Sequence, residues 1–516
     1  MPLQKKLSCL FIFFASLLLT RAEVVPCNHK TPVCECTDPR DEVCEFTFDI
    51  EMLQTFTRYV VDDATGDSRG TAGSVWYINN DGEWERANSK DTLCGSSINS
   101  TNCTQPFGVD GYTFRSFIAV NGRIPGPTLI VTKDWLVKVN VINRLASESV
   151  SIHWHGMHQR NSNWMDGVEH VTQCGIPPGA SFTYIFNATQ YGTHWYHSHS
   201  GAQRTDGLFG ALIVKESQSD RAKVRNEIGD FIDIPSQHTL TLLDWQVSNS
   251  IDLFTRIHSG IRYYNIENAA KLSSNPESRR TYSSDGAEVG PVPYWSGIIN
   301  GKGRHRSVPY VNSELSVFEV SPGSVYRFRL IGAQSLYAYR FSIDRHKLTV
   351  IATDGQYIRP MEVDFIIIHS GERYDFLLQT ENDTSQFNYL IRAVTMEVND
   401  EENKNITEAI LHYNTDSSTY PTATEYESIA RSSQSDHVRC TETSNCTALN
   451  CPFLVYPQRY HISCEHIHNL RLLFPVSDSD LPTNGAKGRT SLFFNFGFEG
   501  ISQTSAINAR NLKLPS

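Results

Sequence analysis

Cys44-Glu45-Phe46-Thr47-Phe48-Asp49-Ile50-Glu51-Met52 alternates apolar and polar side chains without exception. Successive residues of an extended chain point to opposite faces, so a period of two predicts a half-buried antiparallel strand. Working outward, further strand candidates lie at Thr128–Val131, Leu136–Ile142, Phe182–Phe186, Leu208–Val214 and Leu240–Asp244. Others follow at Ser316–Val320, Val325–Ile331, Leu348–Ala352, Phe365–His369 and Tyr374–Gln379. Asn121-Gly122, Pro125-Gly126-Pro127, Pro177-Pro178-Gly179, Pro322-Gly323 and Asp354-Gly355 punctuate them as turns. Long helical periodicity is scarce. Many short strands with Gly/Pro turns predict an all-β chain of sandwiches or barrels.

A faint internal repeat organises these strands. Val120-Asn121-Gly122-Arg123 leads through a Pro-rich turn into two strands, and Ile299-Asn300-Gly301-Lys302 leads into another two around Ser321-Pro322-Gly323. A third copy opens at Ile507-Asn508-Ala509-Arg510, with eight residues following Asn508. Residues 415–447 hold 14 Ser or Thr in 33 positions, the composition of a solvated linker. The expected order is a signal segment at 1–22, a Cys-rich extension with a first β domain at 23–215, and a second at 225–395. Residues 396–516 then hold the linker and the start of a third.

The chain has 516 residues, enough for about three or four domains. Its net charge of −11 argues against nucleic acid or an anionic membrane surface as the main partner. Lys5 and Lys6 precede an apolar run from Leu7 to Leu19, with Thr20-Arg21-Ala22 after it. That run is too short to span a bilayer comfortably and has the proportions of a secretory signal. No other stretch could span a membrane. Without Cys9, eleven cysteines remain, clustered at Cys27–Cys103 and Cys440–Cys464 with Cys174 apart. Clustering in a secreted chain predicts disulfides, and an odd number leaves one thiol free or paired outside the chain. Six N-x-Ser/Thr sites, at Asn99, Asn102, Asn187, Asn382, Asn405 and Asn445, suit an extracellular, glycosylated surface.

Two histidine pairs carry the chemistry: His153-Trp154-His155-Gly156, and His197-Ser198-His199 within Gly192-Thr193-His194-Trp195-Tyr196-His197-Ser198-His199. On a strand, residues i and i+2 share a face about 6–7 Å apart, so each pair presents two imidazoles side by side. Two such strands side by side converge four imidazoles on one spot. Imidazoles without carboxylates suit Cu, Zn or Fe and not Ca or Mg.

These motifs resemble the first domain of the multicopper oxidases, together with Val120-Asn121-Gly122-Arg123-Ile124-Pro125-Gly126-Pro127, Trp164-Met165-Asp166-Gly167-Val168 and Arg204-Thr205-Asp206-Gly207-Leu208-Phe209-Gly210. Ile299-Asn300-Gly301-Lys302-Gly303, Tyr326-Arg327-Phe328-Arg329, Thr353-Asp354-Gly355 and Ser370-Gly371-Glu372-Arg373-Tyr374-Asp375 resemble its second domain. The resemblance covers roughly residues 40 to 395 and is closest to the invertebrate laccase-like branch. It implies tandem cupredoxin-like Greek-key sandwiches, two complete and a third begun. It also implies oxidation of a phenolic or similar small reductant, coupled to reduction of dioxygen to water. His153 would ligate the type 2 copper, and His155, His197 and His199 the type 3 pair. Asp166 matches an acidic residue that relays protons to bound oxygen, although Asp-Gly is also a common turn. Asp206, in another Asp-Gly, reads as structural. His158, His170 and His194 match no ligand position and read as surface residues or as supports behind the ligands.

The family's third domain brings a His-Pro-x-His-Leu-His segment and a His-Cys-His segment, with the type 1 copper ligands, and neither occurs here. His461-Ile462-Ser463-Cys464-Glu465-His466-Ile467-His468 has the elements in another order, and Cys464 is expected in a disulfide. The expectation is therefore a chain cut short of its third domain and inactive alone, to be completed by a C-terminal segment or by another chain. Ferroxidase and ascorbate oxidase activity are alternatives within the family, and a non-enzymatic secreted copper- or partner-binding module is one outside it. Hydrolase and nucleotide-binding readings fail for want of Gly-x-Ser-x-Gly, a phosphate-binding loop or Gly-x-Gly-x-x-Gly.

Overall fold

In a computed structural model the described residues are chiefly 31–37, 42–55, 109–253, 294–305, 315–382, 388–395, 406–415, 440–451 and 461–475, with a few short strands besides. The expected signal segment at 1–22 lies outside them. Eleven expected strands are present to within about two residues at either end.

The first sandwich contains β1 (Val33–Glu35), β2 (Val43–Gln54), β3 (Ser116–Val120), β4 (Thr128–Thr132), β5 (Leu136–Asn143), β6 (Ile152–His155), β7 (Ser181–Asn187), β8 (Gly192–Ser198) and β9 (Phe209–Lys215). One sheet pairs β2 with β3, β5 with β2 and β7 with β5; the other runs β6-β8-β9-β4-β1. The alternation in β2 is realised through Ile50: Cys44, Phe46, Phe48 and Ile50 are buried in one core with Leu129, Val139, Trp154 and Tyr196. Each such side chain contributes roughly 1.5–3 kcal/mol by leaving water. Met52 departs from the pattern and is 49% exposed. Parallel pairing with β5 ends at Ile50–Asn143, and beyond it the strand follows β3 alone. The expected antiparallel neighbour is β3, met only over Ile50–Gln54, while along Val43–Ile50 the partner β5 runs parallel.

The second sandwich has two seven-stranded sheets. The first includes β10 (Thr239–Trp245), β11 (Val325–Gly332), β12 (Leu348–Thr353), β13 (Gln356–Val363) and β14 (Arg373–Gln379). The second is built from Val317–Val320, Ile406–Tyr413, Asn388–Thr395, Tyr339–Ile343, Phe365–Ile368, Cys446–Leu449 and Ile462–Glu465. Leu330, Phe328 and Phe376 of one sheet meet Phe341, Ile391 and Leu411 of the other. The boundary expected at 395 therefore falls too early, since Ile406–Tyr413 lies between two strands of this sheet. The Ser/Thr-rich stretch also ends in a strand: Cys446–Leu449 pairs in parallel with Phe365–Ile368. Disulfides Cys440–Cys446 and Cys451–Cys464 hold that strand and its neighbour. Residues 416–439, the centre of the expected linker, lie outside the described residues.

The α-helix Gln218–Ile228 lies in the chain between the strands of the two sandwiches. Between them lies a third apolar cluster, in which Trp195, Phe209 and Ile213 meet Trp245, Ile298 and Ile331. Asp206 is structural here, as expected. It accepts from Ser250 and pairs at 2.9 Å with Arg115, whose guanidinium lies 3.9 Å above the Trp245 ring.

Candidate metal centre

Strand β6 forms the edge of its sheet and pairs antiparallel with β8, placing His153 opposite His197 and His155 opposite Trp195. Because alternate residues share a face, His153, His155 and His197 turn the same way. Their ring nitrogens lie within 4.8 Å of one another, the one group of three or more His, Cys, Asp or Glu of this kind among the described residues. His199 follows the end of β8, and its backbone donates to Ser151 O at 3.1 Å. Its ring centroid is 5.5 Å from that of His153 and 6.0 Å from that of His197. All four expected histidines thus converge, three tightly and the fourth alongside.

Backbone carbonyls orient two of the rings. His153 Nδ1 lies 2.8 Å from Asp166 O, and His197 Nδ1 lies 2.8 Å from Ser198 O. Donation from Nδ1 fixes the tautomer and leaves Nε2 with its lone pair. His155 Nδ1 faces His197 Nε2 at 3.4 Å, a contact that needs a proton on one nitrogen or a cation between them. Burial, reinforced by Arg373, pushes the His155 imidazole down to about 3. Burial and then Arg204 hold His197 well below the ordinary range, while burial and His153 lower His199. His155, His197 and His199 are therefore neutral imidazoles at neutral pH, which is the form that binds metal. Trp195 walls it, its ring 5.0 Å from His155 and 4.3 Å from His197.

Asp166 follows the short helical turn Asn163–Met165. Its carbonyl meets His153 as above, and its carboxylate Oδ1 stands 3.4 Å from the same nitrogen. Gly167 next to it has φ of +78°, and a Cβ there would lie 1.8 Å from Ile152 O. Asp166 is both the turn residue and the neighbour of the cluster. His158 and His170 are exposed, whereas His194 is buried beside Gly156 and Gly355.

Sequence reasoning gave no role to Glu169 or Arg373. Glu169 accepts from Ser149 at 2.6 Å and from Ser200, so it supports the segment that carries His199. Arg373 was visible only inside a family motif. Cys464 pairs with Cys451, as expected, and Cys174 is free and exposed.

A donor set of imidazoles, with second ring nitrogens on carbonyls, fits a copper ion. The comparisons with known proteins agree. Multicopper oxidase family models match residues 103–219 and 264–416, together just over half of the chain. An L-ascorbate oxidase of Brassica rapa subsp. pekinensis is 35% identical over 291 residues, 54% of this chain and 45% of that protein. Laccase-4 of Trametes villosa is 35% identical over 326 residues, 62% of this chain and 54% of the relative. The laccase of Botrytis aclada has a solved structure that aligns with TM-score 0.48 and 26% identity, covering 76% of this chain and 55% of that one. The fold and site define a cupredoxin-like chain with a histidine cluster whose donors fit copper. It belongs to the multicopper oxidase family, and it spans about half the length of the curated relatives it matches.

Proposed function

We propose that this chain supplies part of the dioxygen-reducing centre of a secreted, glycosylated laccase-like oxidase acting on phenols or similar small reductants. The observation that carries the reading is the convergence of His153, His155 and His197 within 4.8 Å, with His199 beside them. Copper bound there would pass four electrons to dioxygen, which with four protons gives two waters. His153 would belong to one copper, and His155, His197 and His199 to a coupled pair. The carbonyl of Asp166, 2.8 Å from His153 Nδ1, holds that ring in one tautomer, and its carboxylate would hand on protons. Similarity to an ascorbate oxidase makes ascorbate the rival reductant.

The test is copper content and oxygen uptake of the native gene product, with a diphenol, ascorbate or Fe²⁺ in turn, beside its His197→Ala variant. Loss of bound copper and of uptake in the variant is expected. Copper bound without uptake under any reductant would favour a binding module instead, and an active variant with full copper would refute the ligand assignment.

A further inference from the structure

The turn between Phe365–Ile368 and β14 belongs to the second sandwich, yet it lies against histidines of the first. A Cβ on Gly371 would come 3.0 Å from His155 Cε1 and 3.3 Å from Nε2. Gly371 also has φ of +87°, a conformation that favours glycine. The same imidazole stacks on Trp195, so its contacts come from both sandwiches.

Arg373 fixes this turn. Its side chain is 5% exposed and spends its donors in three directions. Nη1 donates to Gly371 O at 3.0 Å and lies 2.8 Å from Asp354 Oδ1. Nε donates at 3.1 Å to the carbonyl of Thr193, on the strand that carries His197. Nη2 stands beside Gly156, the residue after His155, where a Cβ would approach it to 2.6 Å. One guanidinium therefore bonds the Gly371 turn to the strand of His197 and packs against the residue that follows His155.

We propose that Arg373 is a positioning residue for His155, and that through Gly371 the second sandwich is a structural part of the metal centre. The inference rests on the imidazole cluster being the copper site. Only a planar fork can serve these acceptors together, and a lysine keeps the charge but not the directions. Loss of such an outer partner typically costs about 10–100-fold in metal affinity.

The experiment titrates Cu²⁺ alone into the chelator-stripped full chain, reading affinity by competition and the number of coordinated nitrogens by electron paramagnetic resonance. His153→Ala and His197→Ala first establish that the site is the cluster. Arg373→Ala and Arg373→Lys are then expected to weaken binding by about 10–100-fold and to remove one nitrogen from the pattern. Gly371→Ala, which pushes a methyl toward His155 with Arg373 intact, should also remove that nitrogen. Arg392→Ala is the control: it breaks a buried pair with Asp344 in the same sandwich, and should lower the thermal midpoint while leaving the nitrogen pattern alone. Wild-type affinity and pattern in Arg373→Lys, or equal loss in Arg373→Ala and Arg392→Ala, would overturn the inference while the copper site stands. Unchanged copper binding in both histidine variants would overturn the site reading, and the inference with it.

Discussion

Replacing Asp375 with alanine tests how firmly the histidine-bearing sandwich is bonded to its neighbour. Asp375 lies on β14 and accepts from Thr193 Oγ1 at 2.6 Å, from Arg327 Nε and Nη2 at 3.1 and 2.6 Å, and from Arg329 Nη1 at 3.3 Å. Both arginines are 1% exposed. Asp233 and Glu216 complete the network, so removing one carboxylate leaves two acids for two guanidiniums. Charge would then balance one to one, but hydrogen bonding would not. Arg327 Nη1 keeps Glu216 and Asp233, and Arg329 keeps Asp233, while Arg327 Nε, Arg327 Nη2 and the Thr193 hydroxyl lose this acceptor. Breaking a buried pair from one side costs about 3–5 kcal/mol. Thr193→Val removes a single hydroxyl and should cost about 1 kcal/mol. At about 2–4 °C per kcal/mol for a domain of this size, Asp375→Ala should lower the midpoint by roughly 6–20 °C. Thermal unfolding followed by the fluorescence of Trp195 and Trp245, both buried where the sandwiches meet, reads the loss directly. A cost below about 1 kcal/mol for Asp375→Ala, or equal costs for the two variants, would refute the reasoning.

Burial pushes the Glu216 carboxyl up, but Arg327 and Arg329 outweigh it and hold it down at about 2, below its ordinary 4.5. A depressed folded value stabilises the fold above pH 4.5 and is lost as pH falls toward 2. Glu216→Gln should flatten the acid limb of a stability–pH curve in that window. Gly167→Ala drives a Cβ into Ile152 O, so it should displace the Asp166 turn from His153 and weaken copper binding, measured by metal content; an unaffected variant would contradict the packing. Asn300→Ala removes bonds to Thr241 N and Thr239 O from a residue at φ +51° and should cost about 2–3 kcal/mol in denaturant unfolding. Peptide mapping without reduction should find Cys174 alkylated and Cys451 linked to Cys464; a free Cys464 thiol would contradict the assignment.

Legibility of the fold tracked which faces of a strand are buried. Residues 44–50 announced themselves because one face meets the core and the other does not. Ile406–Tyr413 escaped notice because it is buried on both faces, so no alternation exists to read. Its polar residues find local partners: Thr407 with Tyr294, Glu408 with Arg392, His412 with Asn388. The helix Gln218–Ile228 was hidden for the opposite reason. Only Val224 on it is buried, and its start depends on Ser217 accepting from Asp220 N. At the centre, the histidines were legible because spacing alone puts i and i+2 on one face. Arg373 was not, since its role arises only when a turn 218 residues further along the chain is laid against His155.

The repeated Asn-Gly step shows how a faint sequence signal acquires physical content. Val120 bridges Arg123 around Asn121-Gly122, and Ile299 pairs with Lys302 around Asn300-Gly301. All four central residues have positive φ, between +51° and +79°. Asn tolerates that region and Gly is free in it, so the dipeptide selects the tight turn. Each asparagine then does the same second task, gripping the neighbouring strand from its side-chain amide. Asn121 Oδ1 accepts from Asp49 N at 2.7 Å while Nδ2 donates to Thr47 O at 2.9 Å. Asn300 Oδ1 accepts from Thr241 N at 2.7 Å while Nδ2 donates to Thr239 O at 2.8 Å. Gln, one methylene longer and averse to positive φ, could not combine the two functions. The turns also meet each other, for a Cβ on Gly301 would lie 2.1 Å from Ile124 O. In the third copy Ile507 again pairs with Arg510, between the strands Thr504–Ile507 and Arg510–Asn511.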